Sequence, residues 1–505
     1  MEVKCKETAF DCYRVVYDQD LRREESIDSV VPDTLPDIGV ILSTCGAPLI
    51  RSKDLSEGLI RVEANVPAKI AYQAEEGEGI YTLDINIPIS VSQESAEITE
   101  KCLCTADLRI LALETKVLNP RKVTVRAELC FSLQCACVTN ICFFGAPEEK
   151  ESGIQVQEKE LNLTPVCALA EKTFVLTDEF MLPSGKPELA QVISQKTALE
   201  TDEMKTVGTK IILKGCAKSS IVYLSPEGTP AAVEFSTGFS QIVEAEKLVE
   251  NAYLSAKLLL SGAYYDVSSD AEGRIIGMEL HLVAQVTVYG RGKAVYLADA
   301  YSNLYTLSLQ IETEEVSTIC RNITLRETLR ESLELPVPAA EVLSADAVCG
   351  CASVSGGEVT LPVTMLIFYK CSAGLLHFAK RSYSMRVQAE LAAGERLYVA
   401  NTVLQELYAV PAGNSIELRL PAEISVFVFE DRTVEAVGEI SFDEEKPLDL
   451  SGEPTLVLLR ADGEMDLWTL AKENHSTVLA ITEANALESS PLPEDRLLLI
   501  PKTLF

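Results

Sequence analysis

Histidine is nearly missing from this chain: His281, His377 and His475 are the three examples in 505 residues. None stands in a recognisable partner motif, which removes the usual base from nucleophilic mechanisms. Gly-x-Ser-x-Gly and His-Glu-x-x-His are lacking as well. The stretch "YGRGKAVY" around Lys293 lacks the first Gly and the Ser or Thr of a phosphate-binding loop, so it is expected to be a turn. No catalytic residue, cofactor or enzyme activity is expected. No run approaches the roughly 20 apolar residues that a membrane-spanning helix needs. Met1 to Asp20 carries charges throughout and no apolar core of the signal-peptide kind, so cytoplasmic residence is expected. Basic residues are outnumbered, 44 against 76 acidic, for a formal net charge of −32. That field repels phosphate backbones and anionic headgroups, and no basic run interleaved with aromatics offsets it, which argues against nucleic acid as a partner. The acidity serves solubility or attracts a basic partner.

What is present is strand. Most segments are five to nine residues rich in Val, Ile, Leu, Thr and Tyr, broken by short Gly, Pro or acidic turns. Leu59 to Tyr72, Lys122 to Leu133, Lys210 to Tyr223, Glu279 to Tyr289, Val359 to Tyr369 and Ser415 to Phe429 are examples. A mainly β body of sandwiches or open barrels follows. The length exceeds what one core supports, so several domains are expected. Fifteen cysteines are unusual, and an odd count argues against a complete disulfide framework. The Cys-x-Cys pairs Cys102/Cys104, Cys135/Cys137 and Cys349/Cys351 place two thiols on one strand face. Buried strand thiols, oxidative cross-linking and a soft metal are the three readings, the first favoured by the burial habit of cysteine; no metal site is assigned.

Repetition organises the chain. A strand ending in Tyr, a polar turn and a second strand recur as "AKIAYQAEEGEGIYTLDINIPIS" around Tyr72, "SSIVYLSPEGTPAAVEFSTGFSQ" around Tyr223 and "MLIFYKCSAGLLHFAKRSYSMR" around Tyr369. The tyrosines are 151 and 146 residues apart. Upstream stand "LPDIGVILS" and "KPELAQVIS", with Pro36 and Pro187 each 36 residues before its tyrosine; "LRESLELPVPAAEVLSA" takes the place in the third copy. Pro followed by an acidic residue suits a helix start, so these elements are expected as one or two helical turns. Polar stretches at Gly145 to Gly153, Ile311 to Thr318 and Asp443 to Pro454 set the expected boundaries. The divisions are 1–150 (an N-terminal extension and the first repeat), 151–312, 313–442, a linker at 443–453 and a C-terminal module at 454–505.

That last module changes pattern to strand, helix, helix, strand, with Asp466 and Ser476 or Thr477 as helix caps. It resembles the LysM domain. Matching positions are Gly463, Asp466, Leu467 and Trp468, then Leu470, Ala471 and Lys472, then Ala484 and Asn485, then Leu499, Ile500 and Pro501. One residue is inserted between Gly463 and Leu467, and the usual Thr is absent. LysM domains bind N-acetylglucosamine polymers between two loops, corresponding here to Gly463 to Asp466 and Leu487 to Leu492.

The Pro-acidic-aliphatic element with its Tyr unit resembles the SPOCS domain of Firmicute sporulation proteins. Tandem SPOCS domains followed by LysM imply a scaffold in endospore coat morphogenesis, located in the mother cell at the forespore surface. The resemblance implies coat proteins as partners of the repeats and a spore morphogenetic ATPase as partner of the LysM-like module. Gly463, Asp466, Trp468, Lys472 and Asn485 are the candidate partner-binding residues, with Trp468 and Lys472 the candidates for a contact on the exposed parts of the helices; Trp468 as simply a core residue is the equal alternative. The alternative is a cell-envelope protein that binds peptidoglycan glycan through the LysM-like groove.

Overall fold

Burial with period two runs through almost the whole chain. Ile60, Val62, Ala64, Val66, Ala68, Ile70 and Tyr72 are buried along one strand, and Val123, Val125, Ala127, Leu129, Phe131 and Leu133 along its partner across the core. Such alternation is what a strand with one covered face requires. The computed structural model describes residues 2–77, 79–147, 153–245, 248, 251–267, 274–452, 454–461, 466–487 and 496–502. It is mainly β, with two short helices among the described residues, neither long nor apolar enough to cross a membrane.

The first repeat contains β1 (Glu2–Val3), β2 (Cys5–Val30), β3 (Ile38–Gly46), β4 (Leu49–Ser56), β5 (Leu59–Ala74), β6 (Ile80–Glu94), β7 (Leu103–Asn119) and β8 (Lys122–Pro147). The second contains β9 (Ile154–Leu163), β10 (Val166–Met181), β11 (Gln191–Val207), β12 (Lys210–Leu224), β13 (Pro230–Glu244), β14 (Tyr253–Val267), β15 (Ile275–Tyr289) and β16 (Gly292–Ser302). The third contains β17 (Tyr305–Glu334), β18 (Glu341–Cys349), β19 (Ser353–Ser355), β20 (Glu358–Lys370), β21 (Leu376–Gln388), β22 (Glu395–Leu404), β23 (Tyr408–Ala412) and β24 (Ser415–Pro447). Each repeat is a sandwich of two antiparallel sheets. One is β3/β4–β5–β6, β11–β12–β13 or β18/β19–β20–β21; the other is β2–β8–β7, β10–β15–β14 or β17–β24–β22/β23. A contact between Val166 and Tyr13 fuses the second type of sheet in the first two repeats.

The spacing of 36 residues has a physical cause. Tyr72 donates its hydroxyl hydrogen to the Pro36 carbonyl (3.0 Å) and Tyr223 to the Pro187 carbonyl (2.8 Å), each across 36 residues. Both tyrosines are fully buried, and each bond satisfies a hydroxyl that burial would otherwise leave unpaired. The Pro segments are not helical. Leu35 N–H bonds to Pro32 and Lys186 N–H to Pro183, closing one tight turn, and the chain then enters β3 or β11. The β-branched residues Ile38, Val40 and Ile41, or Val192 and Ile193, prefer the extended form, and pairing with the tyrosine strand supplies the hydrogen bonds a helix would have made. Arg121 clasps the first turn through the carbonyls of Val31 and Leu35, and Arg274 clasps the second through those of Leu182, Pro183 and Lys186.

A β-bulge interrupts β3, β11 and β18 at the same place, one residue past the partner of each tyrosine. The neighbour of each tyrosine, Ala71, Val222 or Phe368, points out of its own sandwich. These three meet Leu42, Ile193 and Leu343, the bulge residues, in one apolar cluster. Equivalent positions of three repeats therefore converge, and the repeats close into a ring. Gln191 bonds to Thr82, Ser220 to Ser344, and Lys380 to the Leu113 carbonyl, so each repeat touches both others. Gln285, 2% exposed, closes a two-way bond with the Ala106 backbone (2.9 and 2.8 Å) between the second and first repeats. Gln285→Leu is expected to leave both backbone groups unsatisfied and to lower unfolding free energy by about 1–3 kcal/mol, read by denaturant titration.

The far ends of β2 and β8, of β9 and β16, and of β17 and β24 form three ribbons around Phe143, Leu161, Ala294, Val316 and Val434, and then around Leu297, Val437 and Ile440. The boundary expected at 312/313 falls inside β17, and that at 442/443 falls inside β24 where its pairing with β17 shifts register between Phe442 and Pro447. Glu312 and Glu315 made this stretch resemble a linker, yet they occupy exposed positions of a ribbon strand. Residues 148–152, around the boundary expected at 150/151, lie outside the described residues. Within the expected linker at 443–453, β24 continues to Pro447.

Candidate partner-binding site

The C-terminal module is β25 (Leu456–Arg460), α1 (Leu467–Glu473), α2 (Val478–Asn485) and β26 (Leu497–Pro501). Its helices are short, so their caps matter. The Asp466 carboxylate accepts from Thr469 N–H (3.3 Å), and the Thr477 hydroxyl accepts from Ala480 N–H (3.1 Å). Ser476, the other cap candidate, instead donates to the Pro501 carbonyl. Leu467, Leu470, Ala471, Ile481, Leu498 and Ile500 form the core, and Tyr301 at the end of β16 completes it. Asn485 is buried and donates to the Ile481 and Leu499 carbonyls while accepting from Leu499 N–H (2.7 Å). It ties α2 to β26.

Trp468, half-buried, and Lys472, still 44% exposed, both reach toward the body of the protein. Trp468 Nε1 donates to Asp299 Oδ2 (2.8 Å), its ring meets Tyr301 edge-on at 4.9 Å, and Lys472 Nζ bonds both Asp299 oxygens (2.9 and 2.7 Å). Tyr301 and Asn303 both donate to the Ser476 carbonyl (2.8 and 3.2 Å). Burial alone would raise the Asp299 pKa, but the Lys472 and Trp468 donors outweigh it and hold the carboxyl below the usual value. Burial, followed by the Asp299 charge, pushes the Tyr301 hydroxyl up. Trp468 is thereby engaged within the chain, as its reading as a core residue has it, while Lys472 pairs with the same carboxylate and stays partly exposed: a partly buried carboxylate on β16 draws in the nearest strong donors. Gly463 lies outside the described residues, as do 464–465 and 488–492, most of the two loops that a glycan would use.

Among the described residues, the outward face of the β25–β26 ribbon is largely apolar, with Arg460 at its end. On β25 and β26, Val457, Leu459, Leu498 and Ile500 turn toward the helices. Leu456 (48% exposed), Leu458 (65%) and Leu497 (65%) turn away. A two-stranded sheet needs one apolar face for its own core, and this one has two. The signal was in the sequence: "TLVLL" and "RLLLIP" lack the polar alternation of a half-buried strand.

A second concavity, about 1070 Å³, lies where the three repeats meet, lined by Asp107, Arg109, Lys196, Glu234, Lys257 and Asp346 among others. Its charges hold repeats together. Arg109 pairs with Asp107 (2.9 Å) and donates to the Gly350 carbonyl, and Lys196 pairs with Asp346 (3.3 Å) and donates to the Ala347 carbonyl. Burial first, then the nearby Asp346 and Glu406 charges, push the Glu234 carboxyl up. The histidines sit on three separate elements: His281 beside Glu279 on β15 (2.6 Å), His377 stacked on Tyr369, and His475 between the two helices. Lys293 lies in β16 opposite Asn162, not in a turn, and residues 290–291 before it are an irregular link between β15 and β16.

Two of the three Cys-x-Cys pairs face each other. Cys104 stands directly across from Cys135 in the β7–β8 register, and Cys102 is joined to Cys137 as a disulfide next to it. No family model, curated protein or solved structure matches the chain.

Proposed function

We propose that the protein is a non-enzymatic scaffold of endospore coat assembly, built from three SPOCS-like repeats and a LysM-like module. In this reading the ring of repeats presents its outer surfaces to coat proteins at the forespore surface. The C-terminal module carries the contact with the morphogenetic ATPase. The observation that carries the reading is the outward apolar face of Leu456, Leu458 and Leu497 on a module whose other side is already engaged by Asp299 and Tyr301. An apolar centre on a chain of net charge −32 suits a partner with an apolar centre and a basic rim. Further support comes from the quoted motifs and from their reappearance as one register in each repeat. Rigid coupling of three repeats to one docking module also lets weak coat contacts act at high effective concentration once the module is bound.

The test is the double variant Leu458→Glu, Leu497→Glu. Both side chains are exposed, so the fold is expected to persist. Binding to the purified ATPase is expected to weaken by about 10-fold or more, as for loss of central apolar anchors. Unchanged affinity in a folded double variant would remove this face from the account.

A further inference from the structure

The chain connects the first repeat to the second and the second to the third, but its covalent course leaves the third repeat unjoined to the first. That interface carries a pair of thiols. Cys130 on β8 is buried between Leu129 and Phe131, which point into the first core, so Cys130 points the other way, toward the third repeat. Cys351 lies in the connection between β18 and β19. The two sulfurs and a carboxylate oxygen of Asp20 all lie within 4.8 Å of one another.

The connection that carries Cys351 is held in place. Arg109, directly opposite Cys130 in the β7–β8 register, donates to the Gly350 carbonyl and to Cys349 Sγ (3.5 Å). Ser132 Oγ lies 3.5 Å from Cys351 Sγ. The thiols therefore approach each other through fixed neighbours on both sides. Two thiols and one carboxylate fall short of the four nitrogen or sulfur ligands that structural zinc takes.

We propose that Cys130 and Cys351 form a disulfide that closes the three-repeat ring covalently when the protein meets a low-molecular-weight disulfide. Cys351 is the attacking thiolate. Hydrogen bonding from Cys130 favours its ionised form, with Ser132 and Arg109 adding to the effect against the cost of burial and the nearby Asp20 charge. The Cys351 thiolate attacks the small disulfide, forming a mixed disulfide and releasing one small thiolate. Cys130 then attacks the Cys351 sulfur and releases the second, and the protons of the two protein thiols end on the two small thiols. One small disulfide is reduced and two protein thiols are oxidised. Cross-linking positions 221 residues apart restricts the unfolded chain strongly, because loop-closure entropy grows with loop length.

The experiment uses reduced full-length protein incubated natively with oxidised glutathione, then alkylated, digested and mapped by mass spectrometry. A linked peptide pair containing Cys130 and Cys351 is expected, together with a rise in melting temperature over the reduced protein. Cys351→Ser is expected to lose the linked pair and to show a smaller rise, the part left being that of Cys102–Cys137 re-forming, while its circular dichroism stays that of the parent. Recovery of Cys130 and Cys351 as alkylated or singly glutathionylated residues in the native wild type would overturn the proposal. So would stoichiometric zinc that survives desalting and blocks the cross-link.

Discussion

Truncating Tyr72, Tyr223 or Tyr369 to Ala is expected to cost about 3–5 kcal/mol at each site, the range for deleting a large aromatic from a packed core. These three are among the largest fully buried side chains of the protein. The conservative change separates the repeats more finely. Tyr72→Phe and Tyr223→Phe each remove one bond to a Pro carbonyl and are expected to cost about 1 kcal/mol, and equally. Tyr369→Phe is expected to cost less, because the Tyr369 hydroxyl has no hydrogen-bond partner among the described residues. Denaturant titration with three Phe variants checks this. An equal cost at all three positions would mean that the third repeat restores the bond in some other way.

Removal of the Asp299 carboxylate is expected to release the C-terminal module. Asp299→Ala leaves the Trp468 indole N–H and the Lys472 ammonium without their acceptor. The cost is about 2–4 kcal/mol for two charge-assisted bonds after allowance for partial exposure. Hydrogen exchange in α1 and protease cleavage near residues 448–452 are expected to accelerate, while exchange in the sandwich cores stays unchanged. The dock also titrates. The Asp299 pKa is held below its ordinary 3.8, so the folded state favours the ionised carboxylate. Its contribution is fully present above pH 3.8 and is lost as pH falls through the still lower folded value. Asp299→Asn is expected to weaken the dock at neutral pH and to remove this acid dependence. Unchanged α1 exchange in Asp299→Ala would show that Tyr301 and the apolar contacts suffice.

Some of this architecture was legible in the sequence and some was not. The 36-residue spacing was a sound signal because it reflects a hydrogen bond between two fixed points, Tyr72 with Pro36 and Tyr223 with Pro187. The helical reading of the same Pro segments failed because Pro fits tight turns as well as helix starts, and the Ile and Val residues that follow decide for strand. The ring could not be read. Its central cluster uses Ala71, Val222 and Phe368 at equivalent positions, and residues that fill one space by complementing each other's size leave no shared identity to align. The dock of Trp468 on Asp299 spans 169 residues, with no local pattern to announce it. The LysM-like motif singled out Trp468 and Lys472, but only the fold reveals what they touch. The three outward leucines carried a local signal, the unbroken apolar run, which is ambiguous without knowing how many sheets cover the ribbon.

The most direct test of the scaffold account is a pull-down from sporulating cells with the full-length protein and with residues 1–452 as baits, partners being identified by mass spectrometry. The account predicts that the morphogenetic ATPase is lost from the truncated bait while coat proteins that bind the repeats are retained. Equal recovery of the ATPase with both baits would contradict it and would move that contact onto the ring.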